Sequence, residues 1–249
     1  MLNIKNLTVK ANDKIILDNF NLSVKSNEVV AIMGKNGSGK STLCKAILNH
    51  PDYKKKGTIL FNGEDITNLK TDEISKKGIY YLMQSPTEIE GVTNASYIKE
   101  ARKVRGIKED VFQFNKVLND IIETTGIDKK YIHHNINERL SGGEKKKNEL
   151  LGLYALSPSL ILLDELDSGL DIDSLKSISK AINEYRKKTK SSIIIITHHD
   201  SILSYIKPDM VHVIWDKNIK LSGDLSLAKK IEKQGFSGTI NMTRSDLDE

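Results

Sequence analysis

Four uninterrupted apolar runs punctuate the chain: Val29–Met33, Ile79–Met83, Leu160–Leu163 and Ile193–Ile196. A strand with one wet face alternates apolar and polar residues, so unbroken runs of this kind belong to strands covered on both faces, as in a parallel α/β sheet. The longest hold five residues, far short of the roughly 20 that a bilayer-spanning helix needs. Parallel neighbours require long crossovers, and helical ones are available. Val111, Phe114, Leu118 and Ile121 recur at three and four residues, as do Ile172, Leu175, Ile178, Ile182 and Tyr185. The second pattern follows one apolar run and precedes another, which is the layout of a doubly wound unit.

Leu2–Val9 and Phe20–Val24 alternate instead and read as a half-exposed antiparallel sheet at an edge. Between Pro86 and Pro158 the sequence is polar-rich and almost wholly helical, interrupting the strand series. The expected fold is therefore α/β: a core with an antiparallel β subdomain, built from residues 1–85 and 158–249, and an inserted α-helical subdomain over 86–157. With 249 residues, 38% of them apolar, such a core can be buried. Thr239–Glu249 is polar enough to read as a loosely held tail. The single cysteine, Cys44, excludes an internal disulfide and a self-contained four-cysteine zinc or iron–sulfur site.

Directly after the first apolar run comes Gly34-Lys35-Asn36-Gly37-Ser38-Gly39-Lys40-Ser41, followed by Thr42 and a helical segment. This satisfies G-x-x-x-x-G-K-[ST] in its strand-to-helix context. The glycines let backbone N–H groups close around phosphate, Lys40 would reach the β- and γ-phosphates, and the Ser41 hydroxyl would coordinate Mg²⁺. The run Leu160–Leu163 ends in Asp164-Glu165, which places two carboxylates at the sheet edge where ligands bind. Asp164 is positioned to hold Mg²⁺ through water, and Glu165 to orient or deprotonate an attacking water. A second glycine-bearing helix start, Leu140-Ser141-Gly142-Gly143-Glu144, carries a capping box and is also an anion site. The net charge of +5 comes with short lysine runs, Lys54–Lys56, Lys76-Lys77, Lys145–Lys147 and Lys187-Lys188, which read as solvated surface. No basic stripe suited to nucleic acid is evident.

These elements, together with Gln84 after an apolar run, Ser168-Gly169-Leu170-Asp171 and Thr197-His198, stand in the order found in ATP-binding-cassette (ABC) ATPases. The chain resembles that family. The resemblance implies an ABC-type P-loop ATPase that uses ATP and Mg²⁺, with Gln84 contacting Mg²⁺ and coupling to a partner. It also implies that His198 contacts the γ-phosphate, and that Ser141 and Gly143 act in trans on nucleotide held by a second copy, head to tail.

Within the family the chain is most similar to the SufC group, the ATPases of SUF iron–sulfur cluster assembly. The carrying segments are Glu88–Asn94, Ser141–Leu150, Leu162–Lys176 and Tyr205–Val213. Leu166-Asp167 stands where transporter ATPases usually have Pro after the catalytic Glu. The chain departs from the SufC pattern at Ser85, Glu90 and Lys147, the first two in the expected partner-contact segment. The resemblance implies SufB-like and SufD-like scaffold partners, with cluster ligands mainly on the partner. No membrane insertion and no nucleic-acid partner are expected. Other readings are an ABC transporter's ATP-binding subunit, a nucleic-acid-associated ABC ATPase, although the chain has neither the long coiled-coil insertion nor the second cassette usual there, and a clamp or regulator that holds nucleotide without turnover, against which Glu165 and His198 argue. Met1-Leu2-Asn3-Ile4 opens on a strand pattern rather than a leader. The expected compartment is the cytoplasm, or a plastid or apicoplast stroma had a transit segment been removed. Met1–Asn19 contains no aromatic to stack on adenine, as family members commonly do.

Overall fold

A computed structural model describes residues 1–245, with side chains to residue 241. In chain order come β1 (Leu2–Ala11), β2 (Lys14–Val24), β3 (Val29–Met33), α1 (Lys40–Ile47), β4 (Lys54–Phe61), β5 (Glu64–Asp65), α2 (Thr71–Lys76) and β6 (Ile79–Leu82). Next are β7 (Ile89–Thr93), α3 (Asn94–Val104), α4 (Val111–Thr125), a 3₁₀ turn (Lys129–His133), β8 (Asn135–Ile136) and α5 (Gly142–Leu156). The chain then returns through β9 (Leu160–Asp164), α6 (Ile172–Thr189), β10 (Ser192–Thr197), α7 (Ser201–Tyr205), β11 (Met210–Trp215), β12 (Asn218–Gly223) and α8 (Leu225–Ser245).

The central sheet has the order β12-β11-β3-β10-β9-β6, parallel except for β12. All four apolar runs lie in it, and their unbroken character has the expected cause. Val29, Ala31, Met33, Ile161, Leu163, Ile193 and Ile195 face a core shared with α3–α6. The intervening Val30, Ile32, Leu160, Leu162, Ile194 and Ile196 face a second core shared with α1 and the antiparallel sheet β2-β1-β4-β5. A fully buried Ile or Leu contributes about 1.5–3 kcal/mol, so a charge on either face of these strands would break the fold.

Register sets the strand ends level. Thr197 pairs with Met33, Ile196 with Asp164, and Leu163 with Leu82. The phosphate loop, Glu165, Gln84 and His198 therefore leave the sheet side by side at its carboxyl edge, the ligand-binding edge of open α/β sheets. Helix α1 starts from Gly39, whose φ of 99° is a left-handed conformation that glycine adopts freely. A Cβ there would come within 2.8 Å of Leu17 Cδ2.

Several sequence expectations need correction. The four-strand core gains β11, a fifth parallel strand whose alternation of exposed and buried residues hid it, because it lies next to the antiparallel edge. Residues 86–157 are mostly helical as expected, with one short antiparallel pair, β7 and β8, that the sequence reading did not place. Val111 and Ile172, counted on apolar helix faces, are exposed because each is the first residue of its helix and packing begins a turn later. Thr239–Ser245 is helix rather than loose tail, since Ile240 packs into the core, while residues 246–249 lie outside the described residues. Two lysine runs are not simply solvated. Lys55 donates from its Nζ to the Ala46 carbonyl, and Lys146 is buried.

Candidate active site

Glu165 is the hub of the carboxyl edge. Its backbone has a φ of 45°, a left-handed conformation costly for a side-chain-bearing residue, and its N–H donates to the Ile196 carbonyl at 2.8 Å. The turn delivers its carboxylate to three other residues singled out in the sequence. Gln84 Nε2 donates to Oε2 at 2.6 Å, His198 Nδ1 lies 3.4 Å from Oε1, and Lys40 Nζ lies 3.8 Å from the same oxygen. Lys40 is buried and donates to the Gly34 and Lys35 carbonyls at 2.8 and 3.0 Å. Burial pushes its amine below the usual lysine range, while Glu165 and Asp164 pull the other way.

Next to this hub, Ser41 Oγ donates to Asp164 Oδ1 at 2.8 Å and Tyr81 OH to Oδ2 at 2.7 Å. Burial raises the Asp164 carboxyl above its ordinary value, with the two hydroxyl bonds opposing the shift. Asn36, Gly37, Lys40, Thr42, Gln84 and Glu165 are among the walls of a cavity of about 410 Å³. Ile16 is another wall, so an aliphatic side chain stands on the side where the sequence lacks an aromatic.

The cavity suits a triphosphate with Mg²⁺. Nothing lies within 4 Å of where a Cβ on Gly37 would sit, and Lys40, a buried cation, lines the cavity. In the loop itself the Ser38 hydroxyl is buried without a hydrogen-bond partner among the described residues, and His198 Nδ1, though 3.4 Å from Glu165 Oε1, makes no hydrogen bond either; its ring borders an adjoining cavity with Lys35 and Asn36. Such groups are costly unless something pairs with them.

Ser141–Gly143 lies apart from this cavity. Ser141 caps α5, its N–H and Oγ donating to Glu144 Oε2 at 2.9 and 2.7 Å, and Tyr131 OH donates to Glu144 Oε1 at 2.7 Å. These bonds pull the Glu144 carboxyl down to about 2. At the start of α5 the space beside Gly142 is open, whereas a Cβ on Gly143 would meet Ser174 Oγ at 3.5 Å and Leu170 Cδ2 at 3.6 Å.

The family described as "ABC transporter" matches residues 17–168. The chain belongs to the ABC ATPase family. It is accordingly an ATP hydrolase, working on ATP with Mg²⁺ in an ABC cassette fold. A second family description, "AAA domain, putative AbiEii toxin, Type IV TA system", matches residues 135–204. A probable ABC transporter ATP-binding protein of Streptococcus pyogenes is 46% identical over 242 residues, covering 96% of this chain and 94% of the relative. The probable ATP-dependent transporter ycf16 of Antithamnion sp. is 46% identical, covering 95% and 96%. Among solved structures, cbiO1 from Clostridium perfringens, described as part of the ABC transporter complex cbiONQ, superposes with a TM-score of 0.74 at 26% identity, covering 99% and 94%. The dimeric cassette MJ0796 bound to ADP and Pi shares the fold, with a TM-score of 0.77 at 22% identity over 90% of this chain and 99% of that one.

In this ABC ATPase two site-bordering residues escaped sequence reasoning. Tyr81 counted as part of an apolar run, although a phenol on the edge strand β6 is the kind of side chain that packs its ring and still needs a polar partner. Lys146 lay inside a lysine run, yet its Nζ donates to the Glu165, Leu166 and Ser168 carbonyls at 3.2, 2.9 and 2.6 Å. It thereby holds the turn that follows β9, and no local pattern announces this. Asp167 Oδ2 in that turn accepts from the Thr197 and Ser201 hydroxyls at 3.0 and 3.2 Å. Cys44 is buried, and burial raises its thiol well above the ordinary range, as a small core residue requires.

Proposed function

We propose that this ABC ATPase is the energy-converting subunit of a SUF-type iron–sulfur cluster assembly complex, acting on SufB-like and SufD-like scaffold partners. The enzymatic part rests on one observation: Lys40, Gln84 and His198 gather around the Glu165 carboxylate at the mouth of the phosphate loop. In this reading Glu165 takes the proton of the attacking water at a carboxylate oxygen, and Gln84 orients that carboxylate through its amide N–H. Lys40 meets charge building on the β- and γ-phosphates, His198 meets the γ-phosphate, and the N–H groups of residues 34–42 wrap the triphosphate. Mg²⁺, which Ser41, Gln84 and Asp164 would hold, supplies neutralising charge at the phosphates.

The separation of Ser141–Gly143 from the cavity supports a site completed by the equivalent segment of a second copy. ATP would then join two copies head to tail, and hydrolysis would release them. The division into residues 1–85 with 158–249, and 86–157, belongs to the same proposal. The first part holds the nucleotide and the second carries the closing segment. SUF assignment draws on the Glu88–Asn94 and Leu162–Lys176 segments, including Leu166-Asp167 after the catalytic carboxylate. One cysteine, buried in α1, leaves cluster ligands to a partner.

A second reading, the ATP-binding subunit of a transporter, is favoured by the relatives, which are described as a probable ABC transporter ATP-binding protein and a probable ATP-dependent transporter. No described helix is long and apolar enough to cross a membrane, which is compatible with both. Purification of the tagged chain from its host separates them. A complex that extracts without detergent and carries iron and sulfide supports SUF assembly. Co-purification with membrane-spanning subunits refutes it, and a stoichiometric cluster on the isolated chain refutes the assignment of cluster ligands to the partner.

A further inference from the structure

The turn between α3 and α4 holds apolar side chains out in water. Phe112 is 80% exposed, Val111 67% and Val104 58%, and all three lie within nine consecutive residues of the tip of the inserted region. Beside them opens a cavity of about 610 Å³ lined by Ile107, Val111 and Phe114, with Lys99, Lys103 and Lys108 on its walls. A contiguous apolar patch with a polar rim is the usual mark of an interaction surface, whereas isolated exposed apolar residues are not.

The turn is built rigidly enough that this exposure is not slack. Arg102 forms a two-point ion pair with Glu109, Nε to Oε1 and Nη2 to Oε2, both at 2.8 Å, and its Nη1 donates to the Ala155 carbonyl at 2.5 Å. Arg105 ties the same turn to Leu156 and donates to the Ser75 carbonyl at 2.6 Å. Gly106, with a φ of 78°, closes the turn in a conformation suited to glycine. A pre-ordered surface loses little entropy when a partner binds.

Charge selects the occupant. Glu109 and Asp110 also line the cavity; Arg102 neutralises Glu109, and Asp110, which caps α4 by accepting from the Gln113 N–H at 2.8 Å, keeps its charge, so three lysines against one carboxylate leave the rim net positive. Among the lysines, Lys103 has only a loose exposed partner, Glu100, at 3.6 Å. A second copy of the chain would bring like charge against like. The cavity is concave, which suits an apolar side chain offered by a peptide segment better than a lipid layer, which meets projecting surfaces.

We propose that the α3–α4 turn is a docking surface for an acidic segment of a partner protein that buries an apolar side chain between Ile107, Val111 and Phe114. The surface lies outside the nucleotide cavity, and the proposal holds whichever assembly the ATPase drives. The probe is a synthetic amphipathic helical peptide with leucines and a tryptophan on one face, flanked by glutamates, titrated against the full-length chain by fluorescence anisotropy. Saturable binding is expected. It should weaken about tenfold or more in Val111→Ser/Phe112→Ser, and similarly in Lys103→Glu/Lys108→Glu, as for loss of a small apolar anchor or its charged rim. ATPase activity and melting temperature should stay unchanged in both variants, since these side chains point to solvent away from the active site. Equal binding by wild type and variants overturns the proposal, as does equal affinity for a control peptide carrying Lys in place of Glu. Absence of peptide binding also overturns it, whether or not the patch instead binds phosphatidylglycerol vesicles or drives self-association of the chain.

Discussion

Replacing Tyr81 by Phe tests how Asp164, the carboxylate proposed to hold Mg²⁺, is itself held. The phenol donates to Asp164 Oδ2 at 2.7 Å, and the acceptor residue is only 1% exposed. A hydrogen bond to a charged group contributes roughly 1.5–3 kcal/mol, and a buried acceptor left without its donor loses most of that. Tyr81 and Asp164 also border a cavity of about 420 Å³ that admits water, which favours the lower half of the range. The expected loss is therefore about 1.5–2 kcal/mol. For a chain of this size each kcal/mol moves the melting point by roughly 2–4 °C, so Tyr81→Phe should melt about 3–8 °C lower.

Urea unfolding followed by circular dichroism measures the free-energy change directly. A parallel readout is the Mg²⁺ concentration at which a fluorescent ATP analogue is half-maximally bound. It should rise severalfold, because Ser41 alone then fixes Asp164. A stability change below about 0.5 kcal/mol together with an unshifted Mg²⁺ midpoint would refute the idea that Tyr81 orients this carboxylate.

Glu165→Gln should retain ATP binding and lower turnover by roughly 10²–10⁴-fold, the usual contribution of a general base. Size-exclusion chromatography with ATP should then show an accumulated dimer, and near-normal turnover would remove Glu165 from that role. Lys146→Met leaves three backbone carbonyls without their shared donor, so unfolding should become easier by about 2–4 kcal/mol, as measured by denaturant titration. The Glu144 carboxyl, held down at about 2 by Ser141 and Tyr131, contributes stability above the ordinary glutamate range near 4.3, and that stability is lost as pH falls toward 2. Hydrogen exchange at the first turn of α5 should accelerate through that window in wild type and be flatter with pH in Glu144→Gln. Replacing Lys40 by Ala should weaken triphosphate binding or turnover, read by nucleotide titration and phosphate release, because a positioned cation is lost where charge accumulates.

What the amino-acid order determined by itself is what depends on neighbours in the chain. Strands covered on both faces announce themselves because both alternating residue sets must be apolar, and Val29–Met33 and Ile193–Ile196 were legible for that reason. The phosphate loop and the Ser141/Glu144 cap were legible because each is a local hydrogen-bonding unit with fixed spacing. The β11 strand was not, since its exposed Met210 and half-buried His212 break the apolar run at a position whose burial depends on neighbouring strands.

Only the tertiary structure decided which side chains meet. Lys40, Gln84, Glu165 and His198 come from four separate strand ends, and parallel register brings them level. Tyr81 and Lys146 look like core and surface in the sequence, because a side chain's role is set by the partner opposite it. For these two, the partners are a carboxylate 83 residues away and the carbonyls of Glu165, Leu166 and Ser168. The same holds for Val111 and Phe112. Their composition promised burial, and nothing in the described structure packs over the turn that carries them, so they remain in water.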